Sequence, residues 1–253
     1  MCVSDEARLP IDAAGPGAAT LADLTLRAAD GTSFAATLAR PSEPAGSGVL
    51  VLPDNRGLRP FYEQLALRLA EHGHLTVVID WFGRTDGVGK NRPPDWPAMD
   101  HLGQVTREGL EQDIAAGIAE LRSAGARSIV AVGFCFGGRQ AFFSAQPKFG
   151  LAGVVGFYGA PQALRGAPGP SDRAGELAAP ILGLFGGADT GIPPETVAEF
   201  DGALAAAGVP HEFVVYPDAP HSFFDKTQEL YADASADAWR RVLDFVAART
   251  AAA

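Results

Sequence analysis

The residues that could do chemistry cluster around one short string, Gly133-Phe134-Cys135-Phe136-Gly137-Gly138. It follows directly on the apolar run RSIVAV, which reads as a buried strand, and leads straight into GGRQAFFSAQ, which reads as a helix. A nucleophile between a strand end and a helix start sits on a strained turn, so the residues two before and two after it must be small for the backbones to pass. Gly133 and Gly137 meet that demand. A thiol there also faces the first unpaired N–H groups of the helix and the positive end of its dipole, which favour a thiolate and a developing oxyanion. An inert core cysteine is the ordinary reading of an apolar-flanked thiol, and the flanking glycines argue against it.

A thiol of this kind needs a base and a group to orient the base. Of five histidines, only His221, in DAPHSFF, follows the last strand-like run and precedes the closing helix. His72 and His74 stand two apart near a helix end, with no carboxylate or thiol spacing around them to suggest a metal site. Asp189, in FGGAD, lies at the end of the preceding strand-like run and is the candidate acid; a turn residue or helix cap before Pro193 is the plainer alternative. The order nucleophile, acid, histidine is the one that a nucleophile elbow on an α/β sheet requires. Two backbone N–H groups are candidates for an oxyanion hole: that of Phe136, just after the thiol, and that of Asn55, in the PDNRG loop after the first buried strand.

The elements that would position these groups alternate along the chain. LADLTLRAADGTSFAATLARP reads as a hairpin around a DG turn, and GVLVLP as a buried strand. Phe61 to Glu71 is a helix ending at His72 and Gly73, followed by the strand LTVVID. Gln104 to Ser123 is a helix, LAGVVGFYG and APILGLFGG are strands, PPETVAEFDGALAAAG is a helix, HEFVVYP is a strand, and Ala232 to Ala248 closes the chain as a helix. Such alternation predicts an α/β fold with a mostly parallel sheet covered on both faces, organised as a single domain over 1–253 with a flexible stretch at 1–20. Residues 81–103, rich in Gly and Pro and without steady period, read as a long loop with the character of a lid.

These motifs resemble the dienelactone hydrolases, an α/β-hydrolase family with a GxCxGG elbow, a GGxD acid turn and a late GHSF-like histidine loop; the resemblance covers nearly the whole chain from Gly48. It implies hydrolysis of a small-molecule lactone or activated ester by Cys135, Asp189 and His221, with no cofactor and no metal. It also implies an acid near the resting thiol, a place that Asp54 takes with a shorter side chain than the usual Glu; a turn-forming role in PDNRG is the alternative. Arg84, in DWFGR, matches one Arg that binds a substrate carboxylate, or else forms a surface ion pair with Asp86. Where the family has a second Arg, this chain has Asp225, with Lys226 beside it as an imperfect substitute. A carboxylate there would repel an acidic substrate, which points to a neutral or differently posed ester. Trp81, Phe82, Phe136, Tyr158, Phe223 and Phe224 read either as the rim of an apolar pocket or as ordinary core. A thioesterase or acyltransferase, and a ligand-binding homologue without turnover, are the alternative functions.

Bulk properties fit this reading. The 253 residues are 47% hydrophobic and 20% charged, a globular composition, and the net charge of −10 excludes a phosphate-backbone partner. Two cysteines are too few for a disulfide framework and suit the reducing cytoplasm. No stretch reaches the roughly 18 unbroken apolar residues of a membrane span. Monomer and homodimer are both compatible with the sequence.

Overall fold

A computed structural model describes residues 9, 15–225 and 230–250. The expected flexible N-terminus therefore falls largely outside the described residues, and Ala19 already begins the first strand. Eight strands form one sheet: β1 (Ala19–Arg27), β2 (Ser33–Pro41), β3 (Ser47–Leu52), β4 (Leu75–Ile79), β5 (Ser128–Phe134), β6 (Gly153–Phe157), β7 (Ile181–Gly186) and β8 (His211–Tyr216). Between and after them run α1 (Pro60–Glu71), the short α2 (Gly83–Asp86) and α3 (Ala98–Leu102), α4 (Arg107–Ser123), α5 (Phe136–Ser144), α6 (Pro194–Ala207) and α7 (Ala232–Thr250). The spatial order is β1-β2-β4-β3-β5-β6-β7-β8. The predicted hairpin pairs β1 with β2 antiparallel, β2 joins β4 antiparallel, and every pairing from β4 to β8 is parallel.

Burial explains the apolar runs. Every residue of β3, β4, β5, β6 and β7 is buried, as a strand covered on both faces requires. Two glycines of β6 show the two layers: a Cβ at Gly153 would meet the Phe245 ring of α7 at 2.7 Å, and one at Gly156 would meet the Phe142 ring of α5 at 2.3 Å. Residues three apart on a strand face opposite ways. His72, which caps α1, packs on Trp239 of α7, so these helices share a face, while Arg107 of α4 lies over Phe143 of α5 on the other.

Helix boundaries follow local chemistry. Thr106 caps α4 by accepting the Gly109 N–H at 3.1 Å, so the helix starts three residues after the expected Gln104. Pro60 opens α1, where its missing N–H costs nothing. The 81–103 segment is more ordered than its composition suggests, because it holds α2 and α3 and is pinned to the sheet. Arg92 donates from Nη1 to both oxygens of Asp80 at 3.0 Å and from Nε to Asp86 at 2.8 Å, and its guanidinium lies over both the Phe82 and Trp96 rings, which meet edge-on. Asp80, at the end of β4, also accepts the N–H groups of Leu58 and Phe82 at 3.0 Å each. One buried carboxylate thus ties the loop after β3 to the loop after β4. Burial pushes its pKa up, against the pull of Arg92 and the two N–H donors.

Candidate active site

Cys135 occupies the turn between β5 and α5 with φ 53° and ψ −110°, a left-handed backbone that an L-residue adopts only under strain. Its neighbours account for the glycines. A Cβ on Gly133 would stand 2.1 Å from the Gly137 carbonyl oxygen, and one on Gly137 would stand 2.0 Å from that of Leu52. Strand β3, the elbow and α5 are therefore packed backbone against backbone. The Cys135 N–H donates to Phe157 O at 3.0 Å, and the side chain is half-buried.

The acid and the histidine are joined directly. Asp189 Oδ2 lies 2.6 Å from His221 Nδ1, and Asp189 Oδ1 accepts the N–H groups of Gly191 at 2.8 Å and Ile192 at 3.2 Å. Burial pushes the Asp189 carboxyl up, but the bond and charge of His221 and the two backbone donors together hold it below its ordinary value. The two loops are zippered: Gly187 N–H donates to Tyr216 O at 2.7 Å and Ala188 N–H to Ala219 O at 3.0 Å. A Cβ on Gly186 would lie 2.3 Å from Ala219 O, which gives the FGGAD glycines their reason. Tyr158 packs on the histidine of this pair, with its ring centroid 5.0 Å from that of His221.

The Asn55 loop is held from below. Trp81 Nε1 donates to Pro53 O at 3.0 Å and to Asp54 O at 3.1 Å, while the Trp81 ring meets Phe136 edge-on at 5.4 Å. Asn55 Nδ2 lies 3.3 Å from Met99 Sδ, on a groove of about 310 Å³ lined by Arg56, Trp96 and Asp100 among others. Asp54 is fully buried; its Oδ1 accepts Arg56 N–H at 2.9 Å, the Asx turn that its place in PDNRG allows, and its own N–H donates to Tyr62 Oη at 3.0 Å.

Two groups of sequence expectations are corrected. Trp81, Phe82, Tyr158, Phe223 and Phe224 are each 0% exposed, so they form core beneath the site rather than the rim of an open pocket; Phe136, half-buried, is the exception. Arg84 is not a free clamp for a carboxylate, nor is it the partner of Asp86. It donates from Nη2 to Asp113 Oδ1 at 2.9 Å and from Nε to Asp113 Oδ2 at 3.3 Å, and Nη1 contacts Asp30 and Thr32. Burial raises Asp113 to about 6 even with Arg84 beside it, and the same carboxylates keep Arg84 charged. Those shifts pull in opposite directions for the pair; the close two-point geometry favours the ionised form. Arg84→Met should therefore lower stability by roughly 2–3 kcal/mol, because it strands a buried carboxylate, and leave KM for esters unchanged in a steady-state assay. A large KM increase would restore Arg84 to the substrate. Lys226 lies outside the described residues.

Sequence reasoning missed the Asp80–Arg92 tie and the bond from Tyr158 Oη to Asp225 Oδ2 at 3.0 Å. An Asp at a strand's end was the only sign of the first. Among the described residues no group of three or more His, Cys, Asp or Glu side chains could hold a metal ion, and no helix is long and apolar enough to cross a membrane.

The sheet order, the strained strand-to-helix turn and the loops beyond β7 and β8 define an α/β-hydrolase fold. The chain belongs to the dienelactone hydrolase family, whose profile matches residues 34–249. It is 33% identical over 245 residues to the Salmonella typhimurium protein named "Putative carboxymethylenebutenolidase", covering 92% of this chain and 89% of that one. It is 30% identical over 221 residues to the carboxymethylenebutenolidase of Rhodococcus opacus, covering 81% and 82%. Among solved structures it is similar to one named "Putative Dienelactone Hydrolase" from Klebsiella pneumoniae, with TM-score 0.78, 27% identity, and 91% and 99% of the two chains covered. The protein is thus a hydrolase enzyme of this family.

Proposed function

We propose that this hydrolase cleaves a lactone or carboxylic ester without a cofactor, through an acyl-thioester on Cys135. The observations that carry the reading are the strained Cys135 turn after β5 and an Asp189–His221 pair 2.6 Å apart on the loops that follow β7 and β8 of the same parallel sheet. The thiolate attacks the carbonyl carbon, and the N–H groups of Phe136 and Asn55 hold the resulting oxyanion. As the carbon–oxygen bond breaks, His221 gives a proton to the leaving alkoxide; in a lactone this oxygen stays tethered to the acyl group. His221 then takes a proton from water, whose oxygen attacks the thioester, and the acid product leaves with Cys135 restored. Asp189 holds the imidazole in the tautomer with its proton on Nδ1 and stabilises the imidazolium. Buried Asp54 sits on the loop that carries Asn55 and is the acid nearest that part of the site in sequence. Two cysteines in the whole chain suit a reducing, cytoplasmic setting.

The test is a panel of neutral lactones and esters assayed with and without added thiol or alcohol acceptors. Release of free acid is expected, with product split toward the acceptor only in proportion to its concentration. Saturating transfer to the acceptor in preference to water would make the protein an acyltransferase, and no turnover of any member would contradict the hydrolytic reading.

A further inference from the structure

The turn that carries the acid is gripped from outside by the loop after β6, which the proposed chemistry leaves unused. This loop begins against the elbow helix: a Cβ on Gly159 would stand 2.6 Å from the backbone nitrogen of Arg139. Arg139, on the first turn of α5 and 7% exposed, closes the loop from within, donating from Nη1 to Ala160 O at 2.7 Å and Gln162 O at 2.5 Å and from Nη2 to Pro168 O at 3.1 Å. Burial pulls its pKa down to about 10, so it stays charged at neutral pH, and a charged donor binds a carbonyl more tightly than a neutral one. The far end is locked as well. Ser171 N–H donates to Pro161 O at 3.0 Å, and a Cβ on Gly169 would lie 2.1 Å from that same oxygen. Gln162 is thereby fixed at its backbone.

Its side chain reaches the acid turn, where Gln162 Nε2 donates to Gly191 O at 3.0 Å. That carbonyl and the Ile192 N–H belong to one planar peptide group, and in a trans peptide the two point opposite ways. The group is therefore held on both sides, by Gln162 at its oxygen and by Asp189 Oδ1, 3.2 Å from its nitrogen. A hydrogen bond accepted at the carbonyl also polarises the peptide and strengthens the donor on its other side. Asp189 Oδ2, the second oxygen of the same carboxylate, meets His221 Nδ1 at 2.6 Å.

We propose that Gln162, held in place by Arg139, is a positioning residue for the acid: by fixing the Gly191–Ile192 peptide it sets the plane of the Asp189 carboxylate, and through it the orientation of the His221 ring. The inference rests on the reading of Asp189 and His221 as acid and base. Gln162 acts through a single neutral hydrogen bond on the exposed side of the turn, so its loss slows turnover about threefold to tenfold and does not abolish it.

Gln162→Met keeps the length of the side chain and removes its donor. The first measurement needs no turnover: the proton on His221 Nδ1 is followed by NMR in protein labelled at the histidine nitrogens, where a proton shared with a carboxylate resonates far downfield, and it is assigned by its loss in His221→Ala. Gln162→Met should move this resonance upfield and broaden it. The second measurement is steady-state hydrolysis of p-nitrophenyl butanoate, in which kcat should fall about threefold to tenfold while KM and the melting temperature stay close to those of the wild type. Leu164→Ala, at the exposed tip of the same loop, should leave resonance and kcat as they are. Arg139→Lys keeps the charge but cannot hold the three carbonyls at once; it should give the same two changes in smaller measure, and it carries the comparison where Gln162→Met does not fold. A folded Gln162→Met with the wild-type resonance overturns the proposal, as does a Leu164→Ala variant that is altered equally or a wild type in which no downfield proton is found. Failure of the wild type to cut the ester would instead count against the hydrolytic reading, with the resonance still judging Gln162.

Discussion

Cys135→Ala is expected to fold with the same sheet and to lose ester turnover by on the order of 10⁴-fold or more, since removal of a nucleophile leaves only binding and oxyanion stabilisation. The fold should survive because the contacts that shape the turn belong to backbone: Cys135 N–H to Phe157 O, and Gly137 against Leu52. Alanine bears the same positive φ as cysteine, so the strain of the elbow is unaltered. Far-UV circular dichroism and a melting curve should match the wild type while kcat falls. Turnover that persists in this variant would move the nucleophile elsewhere.

Asp189→Asn should cost about 10⁴-fold in kcat, as an amide at this place donates to Nδ1 and selects the wrong tautomer of His221. Stability should change with pH as well. The Asp189 carboxyl is held below its ordinary 3.8 in the folded chain, so its contribution is present above that value and is lost as pH falls through the lower folded one. Denaturant titrations across this acidic window should show a steeper loss of stability in the wild type than in the variant. Equal slopes would mean that Asp189 is no better bound as an anion when folded than when unfolded.

What could be read in the chain, and what could not, divides along physical lines. The runs GVLVL, LTVVI and SIVAVGF are apolar without interruption because both faces of β3, β4 and β5 are covered, so their identity was plain. The elbow was plain too, since only glycine allows backbones to approach as Gly133 and Gly137 do. Pairings across long stretches of chain carry no periodic signal. Nothing in the order of residues tells that Arg84 turns to Asp113 on α4, 29 positions on, or that Arg92 closes on Asp80. Aromatic residues beside a site were ambiguous for a related reason: a ring that supports a loop from within the core, as Trp81 supports Pro53 and Asp54, has the same sequence signature as one that lines an opening. The 81–103 segment lacked period because its order comes from ion pairs and ring stacking rather than from a repeating apolar face.

The central claim is that Cys135 carries the acyl group. Rapid quenching of the wild-type enzyme in acid during turnover of a slow ester, followed by mass spectrometry of the Cys135 peptide, tests it most directly. The peptide should gain the mass of the acyl group, the adduct should disappear as free acid is released, and hydroxylamine should remove it as it does a thioester. Turnover with Cys135 unmodified throughout, or an acyl group found on another residue, would contradict the account.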